Sequence, residues 1–464
     1  MPFLDRLSRW ADERPQGMAV ACAGQRLSWG RLRAEAAALA ASGEPTGILQ
    51  QGNGTDFVIR WAAGVAEQRM CAVLDPTWPE ELGEAVRRRC RAAAPASDEP
   101  ARLRDGPADS AFLVGLTSGT TSQPKGFRRS RGSWRRSFEA STAHFDLRPE
   151  DRVLAPGPLS ASLNLYALSE CLHAGAAFVT LPRFDSADAR AVIAAEGVTR
   201  LVTVPAMLRV IAGRGLAAGE TADGLSAIIC AGQKLDPETL ATARRWAPGA
   251  VIWEYFGAAE LGFVAARRHL PGERESSSGT AVGTAFPGVE VVILDDDGRP
   301  LPDGCAGSIG VRSELVCDGY LWGDDGKALT RIGDIATVHD RGFLRDGRLH
   351  VLGRAAEMVN SGGVNIYPQE VESVLAAVPG VAEAIVVGLP DAARGERIAA
   401  GILPVDEPPT RQRLRRATEG LAPAKRPHEY WVLQEPPVTD RGKLSRARLR
   451  AWIAEGDHRA RRLG

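Results

Sequence analysis

A short polar stretch does most to limit what this chain can fold into: Leu116-Thr117-Ser118-Gly119-Thr120-Thr121-Ser122-Gln123-Pro124-Lys125-Gly126. The run before it, Ala111-Phe112-Leu113-Val114-Gly115, is apolar and short enough for a buried strand. The stretch itself is rich in Thr, Ser and Gly and closes on a lysine and a glycine. Glycine lets backbone approach a ligand, hydroxyl and N–H groups supply short donors, and lysine adds one positive charge. Such a loop can cradle a polyphosphate. It is not the GxxxxGK[ST] loop, because its hydroxyls precede Lys125 and none follows it. A polar surface loop between strand and helix is the competing reading.

At 464 residues the chain predicts two or more domains. Apolar and charged fractions of 44% and 25% are those of a globular protein. The formal net charge of +0 argues for neither nucleic acid nor an anionic membrane surface as partner. Seven cysteines lie scattered with no CxxC, which predicts reduced thiols and a cytoplasmic location. The first residues lack the apolar core of a signal peptide, and no run reaches transmembrane length.

Strand and helix signals alternate through the first half, as in a parallel α/β sheet. Gly47-Ile48-Leu49 and Ala72-Val73-Leu74 read as strands, Thr55–Gly64 as a helix, and Leu27–Leu32 leads into an alanine-rich helical run to Ala41. Residues 79–111 are rich in Arg, Ala and Pro with little periodicity, which predicts a loop. The arginines Arg128, Arg129, Arg131, Arg135 and Arg136 read as a solvated face, with a role on a ligand phosphate as the alternative. A second doubly wound half follows. Its strands are expected near 153–155, 177–181, 200–204, 227–230 and 251–253, with helices over 189–196 and 237–246; ligands in such sheets sit at the carboxyl ends of strands. Residues 279–322 are turn-rich and predict a small β-barrel. Beyond Arg354 a small α+β domain is expected, giving a division into 1–354 and 355–464.

The polar stretch resembles the phosphate-binding signature of the adenylate-forming superfamily: acyl- and aryl-CoA synthetases, nonribosomal peptide adenylation domains and luciferases. Further strings fall in that family's order from Leu27 to Lys443. Leu74–Pro79 matches its "LDPxxP" turn. Ala231-Gly232-Gln233 resembles the segment that flanks adenine. Tyr255-Phe256-Gly257-Ala258-Ala259-Glu260 resembles "YGxTE", which implies an aromatic stacked on adenine and Glu260 facing Mg²⁺. In Arg331-Ile332-Gly333-Asp334 the resemblance implies that Asp334 accepts both ribose hydroxyls from a buried position. Gly353-Arg354 resembles the "GR" before the hinge. Ser361-Gly362-Gly363 resembles the glycine loop of the CoA tunnel, and Asp440-Arg441-Gly442-Lys443 the C-terminal lysine motif. Three positions depart from the pattern: Ser122 replaces Gly, Ala259 replaces Thr, and Ala356 stands at the hinge with Glu357 beside it.

The resemblance implies ATP, Mg²⁺ and CoA as cofactors and a small-molecule carboxylic acid as substrate. The acid's carboxylate attacks the α-phosphorus, pyrophosphate leaves, and a thiol then takes the acyl group. Thr117, Ser118, Gly119, Thr120, Thr121 and Lys125 are expected on the phosphates, Glu260 on Mg²⁺, and Lys443 on the attacking carboxylate. Gly157–Ser162 carries no acid for an amino-acid ammonium, which argues against α-amino acids. "Lys-Gly-Phe" after the loop and "Ala-Glu-Leu-Gly-Phe-Val" look most like the fatty-acyl-CoA branch. Transfer to a carrier protein or an amine is the alternative, and a non-catalytic nucleotide binder is the alternative of another class.

Overall fold

The computed structural model describes residues 3–93, 100–117, 124–273, 280–324, 326, 328–354, 357–361, 364–392, 395–438 and 444–464. Among them the strands form three sheets. In the largest, Ala177–Thr180, Arg152–Leu154, Arg200–Thr203, Ala227–Ala231 and Val251–Ala258 lie parallel, in that spatial order. Their buried faces are almost wholly apolar, as expected of strands covered on both sides. Helices such as Pro237–Trp246 supply the cover. That helix begins where Pro237 needs no N–H and the Asp236 carboxylate accepts from Thr239 N at 2.8 Å.

From Val251–Ala258 the sheet continues antiparallel through Gly262–His269, Ala281–Ala285, Arg348–Arg354, Ile335–Arg345, Gly307–Arg312 and Glu290–Leu294. The strands expected as a small barrel therefore share a seam with the parallel sheet. A second sheet runs Gly319–Trp322, Lys125–Ser130, Ala111–Thr117, Cys71–Val73, Ile48–Leu49. The third belongs to residues 359–462 and is covered by the helices Pro368–Ala376 and Arg446–Glu455, with two apolar clusters of its own.

One expectation needs correction. Within residues 79–111, Glu80–Ala93 is a helix and not a loop. Its buried face is only Gly83, Val86 and Cys90, at i, i+3 and i+7, among arginines and glutamates. So narrow a stripe is easily overlooked beside the surrounding charge. Among the described residues no helix is long and apolar enough to cross a membrane.

Candidate active site

The strand Lys125–Ser130 pairs on one side with Ala111–Thr117, which puts Thr117 opposite Lys125. On its other side it pairs with Gly319–Trp322. Trp322 Nε1 donates to Pro124 O at 3.0 Å, and a Cβ on Gly126 would lie 2.3 Å from the Trp322 ring. Glycine is therefore required after the lysine. Alternation along the strand turns Lys125, Phe127 and Arg129 toward one cleft of about 2530 Å³, which Thr117 also lines. Ser118, Gly119, Thr120, Thr121 and the departure Ser122 lie outside the described residues.

Glu260 stands across that cleft, gripped from two directions. The Tyr320 hydroxyl donates to its carboxylate, and Thr117 Oγ1 is 3.4 Å from the same hydroxyl. The backbone oxygen of Glu260 accepts from Cys317 N at 2.7 Å and from Arg129 Nη2 at 3.2 Å; Ala259 O accepts from Arg129 Nη2 at 2.6 Å. Arg129 also donates to Leu315 O and is 3% exposed. Burial lowers its guanidinium pKa from the ordinary value. The Ala259 departure removes a hydroxyl from this corner, but its carbonyl is one of the three that Arg129 holds.

The arginine run is thus not one solvated face. Arg129 and Arg131 are buried, and Arg131 spends its donors on the carbonyls of Val65, Arg69 and Ala111, each at 2.7–2.8 Å, with its pKa pushed down to about 10 by burial. Arg128, Arg135 and Arg136 pair with Asp318, Glu139 and Glu314. The signal that separates them is strand alternation: Arg129 shares the parity of Lys125.

Ala231, Gly232 and Gln233 leave the end of one parallel strand, Ala231 pairs with Tyr255 on the next, and all four line the cleft with Phe256, Gly257 and Ala259. Tyr255 packs its ring against Phe263 with centroids 4.6 Å apart. Phe256 meets no other ring among the described residues, which leaves its face for a planar ligand. Buried Glu254 steadies the turn: its carboxylate accepts from Leu235 N at 2.9 Å and lies 3.6 Å from Lys234 and 3.7 Å from His269. Burial alone would raise its pKa, yet His269, Lys234 and the Leu235 N–H hold it below the usual carboxylate range.

The structure does not bring Asp334 into this group. It follows Gly333 in a hairpin turn with its side chain 75% exposed, and Arg312 Nε binds it at 3.1 Å. The expectation of a buried carboxylate fails because the turn projects it outward. Asp340, 8% exposed, lines the cleft instead and carried no motif. Gly353 lines it too; a Cβ there would sit 2.1 Å from Gln369, so glycine lets the helix Pro368–Ala376 close on the strand. The side chain of Arg354, like Ala356, Gly362, Gly363 and Lys443, lies outside the described residues. Ser361 is buried in a hairpin strand paired with Val364 and is not part of the cleft lining. Leu444 and Arg446, just past Lys443, are part of it. Arg446 spans Glu357 at 2.5 Å and Glu372 at 2.8 Å, so the acid beside the hinge is tied to the lysine motif.

Among the described residues no cluster of three metal-ligating side chains occurs. Glu260 alone, with one oxygen engaged by Tyr320, fits an ion that takes one protein carboxylate and keeps phosphate oxygens and water.

Residues 59–321 match the family model described as AMP-binding enzyme, and residues 370–443 match that of the AMP-binding enzyme C-terminal domain. The chain is 32% identical over 345 residues to the uncharacterized acyl–CoA ligase YhfT of Bacillus subtilis (strain 168), covering 74% of this chain and 69% of that protein. It is 30% identical over 285 residues to the putative long chain fatty acid-CoA ligase VraA of Staphylococcus epidermidis, covering 61% of this chain and 58% of that protein. A crystal structure of the anthranilate CoA ligase AuaEII with anthranoyl-AMP superposes with TM-score 0.85 at 20% identity, covering 98% of each chain.

Proposed function

The chain belongs to the AMP-binding enzymes, and from that premise we propose that it is an AMP-forming acid–thiol ligase, joining a carboxylic acid to CoA. In the first step a carboxylate oxygen bonds to the α-phosphorus of ATP and the bond to the bridging oxygen breaks, releasing pyrophosphate. In the second the CoA thiol, losing its proton, bonds to the acyl carbon and AMP leaves. The observation that carries the reading is the cleft itself. Lys125 and Thr117 line one wall, a doubly held Glu260 another, and Leu444 and Arg446 reach in from the small domain.

Roles follow from charge and position. Thr117, Ser118, Gly119, Thr120, Thr121 and Lys125 hold the β- and γ-phosphates. Ala231–Gln233 and Phe256 receive the adenine. Asp334 keeps the ribose assignment that the motif implies, since a carboxylate bound by one guanidinium retains acceptor sites for a diol. Mg²⁺ bound at Glu260 would offset charge on the phosphates. Lys443 orients and neutralises the attacking carboxylate, after which the small domain turns to present Ser361–Gly363 to the thiol. Catalysis is then chiefly positioning and electrostatics. Residues 1–354 form the adenylating core and 355–464 the moving part. Relatives named for long chain fatty acids support an aliphatic acid among the substrates. Six of the seven thiols are buried, which suits a reducing cytoplasm.

The experiment is pyrophosphate release over fatty, aryl and amino acids, with and without CoA. Acid-dependent release followed by CoA-dependent thioester is expected. Nucleotide binding with no release from any acid contradicts the reading, and release with acyl transfer only to an amine or carrier protein replaces the acceptor.

A further inference from the structure

Two helices flank the cleft beyond Tyr255. Arg131–His144 leaves the lysine strand directly, and Ser162–Ala174 follows the turn at Leu159–Ala161. Each presents an i, i+3, i+7 stripe to the other: Trp134, Ser137 and Ser141 on the first, Leu163, Tyr166 and Glu170 on the second. Trp134, Ser137, Leu163 and Tyr166 line the cleft together with Tyr255 and Phe263. The bay is aromatic. Tyr166 meets Trp134 and Phe263 edge-on at 5.2 and 5.3 Å.

Across this apolar bay the two stripes set a line of polar atoms. Ser137 Oγ is 2.7 Å from the Tyr166 hydroxyl, which is 3.0 Å from Ser141 Oγ; Ser141 in turn donates to the Glu170 carboxylate. Behind them a chamber of about 20 Å³, room for one water, is lined by Glu170, Arg200 and Tyr166. Hydroxyls and a carboxyl among aromatic rings are costly to bury unless they are bonded. Apolar side chains of similar size would join two helices at least as well. A bay meant only for a hydrocarbon tail has no use for the line.

Its direction can be read. Burial pushes the Glu170 carboxyl up to about 7; above that pH it is ionised and only accepts, so Ser141 gives it its proton. Tyr166 then donates to Ser141, and Ser137 donates to Tyr166. The end at the cleft, Ser137 Oγ, is left with lone pairs and no proton to give. It is an acceptor, 3% exposed.

Resting on the reading of the cleft as an acid-activating site, we infer that the acid it takes carries a hydrogen-bond donor, a hydroxyl or N–H, at the end remote from its carboxylate, received by Ser137. The polar tip, and not whether the tail between is alkyl or aryl, is what the bay selects.

The test is pyrophosphate release at about pH 8.5, above the value of about 7 to which burial pushes Glu170, with acids matched in length that end in hydroxyl or in methyl. The hydroxyl member of the best pair is expected to lead by at least ~10-fold in kcat/KM, the scale set when a site group is left unpaired. Ser137→Ala should bring that ratio toward one, by raising KM for the hydroxyl acid; Tyr166→Phe keeps the Ser137 acceptor but frees its proton, and should instead raise kcat/KM for a matched acid that ends in a ketone. A wild type that prefers the methyl acid overturns the inference. So does an unchanged ratio in Ser137→Ala with a lowered Tm, which makes the line a helix lock. In both cases the acid-activating reading stands. No release from any acid fails that reading, and this inference with it.

Discussion

The two walls of the cleft are held in different ways. On the large-domain side Glu260 is fixed by partners far along the chain: Arg129 inside the fold binds Leu315, Ala259 and Glu260, while Tyr320 holds the carboxylate. On the small-domain side the contacts are few and polar. Arg209 lies 3.8 Å from Glu383, and Arg341 donates to the Tyr367 hydroxyl at 3.3 Å. Buried multi-partner bonds resist separation, whereas a single ion pair at 3.8 Å contributes little to holding two surfaces together. The difference fits the proposal that Glu260 stays fixed while the small domain turns.

The largest effect should come from breaking the rigid wall at its anchor. Arg129→Leu leaves the buried Leu315 carbonyl and the half-buried Ala259 carbonyl short of a donor, at about 1–3 kcal/mol each, while Glu260 O keeps Cys317 N. Denaturant unfolding should show a loss of about 3–5 kcal/mol, with activity lost too; a fall below about 1 kcal/mol makes the anchor dispensable. Tyr320→Phe is milder. It frees the Glu260 carboxylate while keeping the ring, so kcat should fall about 10–100-fold with Tm nearly unchanged. If only the KM for the acid moves, Tyr320 is a pocket residue.

The smallest effect concerns the mobile side. Burial pushes the Glu383 carboxyl up to about 7, against Arg209 and with Asp236 and Glu372 as like-charged neighbours. A carboxyl raised on docking binds more protons docked than free. Its contribution is therefore present below its ordinary pKa near 4.3 and lost as pH rises through about 7. Limited proteolysis between the domains should quicken from pH 5.5 to pH 8 by a few-fold at most, and Glu383→Gln should flatten that rise. A steeper profile in the variant contradicts the assignment.

How much of this could be read beforehand depends on how local the cause is. The helix Pro237–Trp246 is legible because its apolar periodicity and its Asp236 cap are local to the segment, and Thr55–Gly64 because its apolar run is long for a strand. The positions of Lys125, Glu260 and the Ala231–Gln233 turn on the cleft are legible because their motifs place them at or just past strand ends. Tyr320 carries no such mark: it meets Glu260 only because Gly319–Trp322 pairs beside Lys125. Arg129 looked like surface because charge runs usually are, although the parity of its strand pointed inward. Asp334 went the other way, its motif suggesting burial where a hairpin turn gives exposure.

The contrast between walls is tested most directly by the two half-reactions of Lys443→Ala, followed by single-turnover kinetics. If the lysine comes and goes with the small domain, adenylate formation should drop about 10²–10³-fold, the scale of one lost transition-state donor. Thioester formation from supplied acyl-adenylate and CoA should stay near wild type. Gly363→Trp should give the mirror image, slowing the thiol step alone. Equal losses in both steps for Lys443→Ala would contradict a mobile lysine working against a fixed wall.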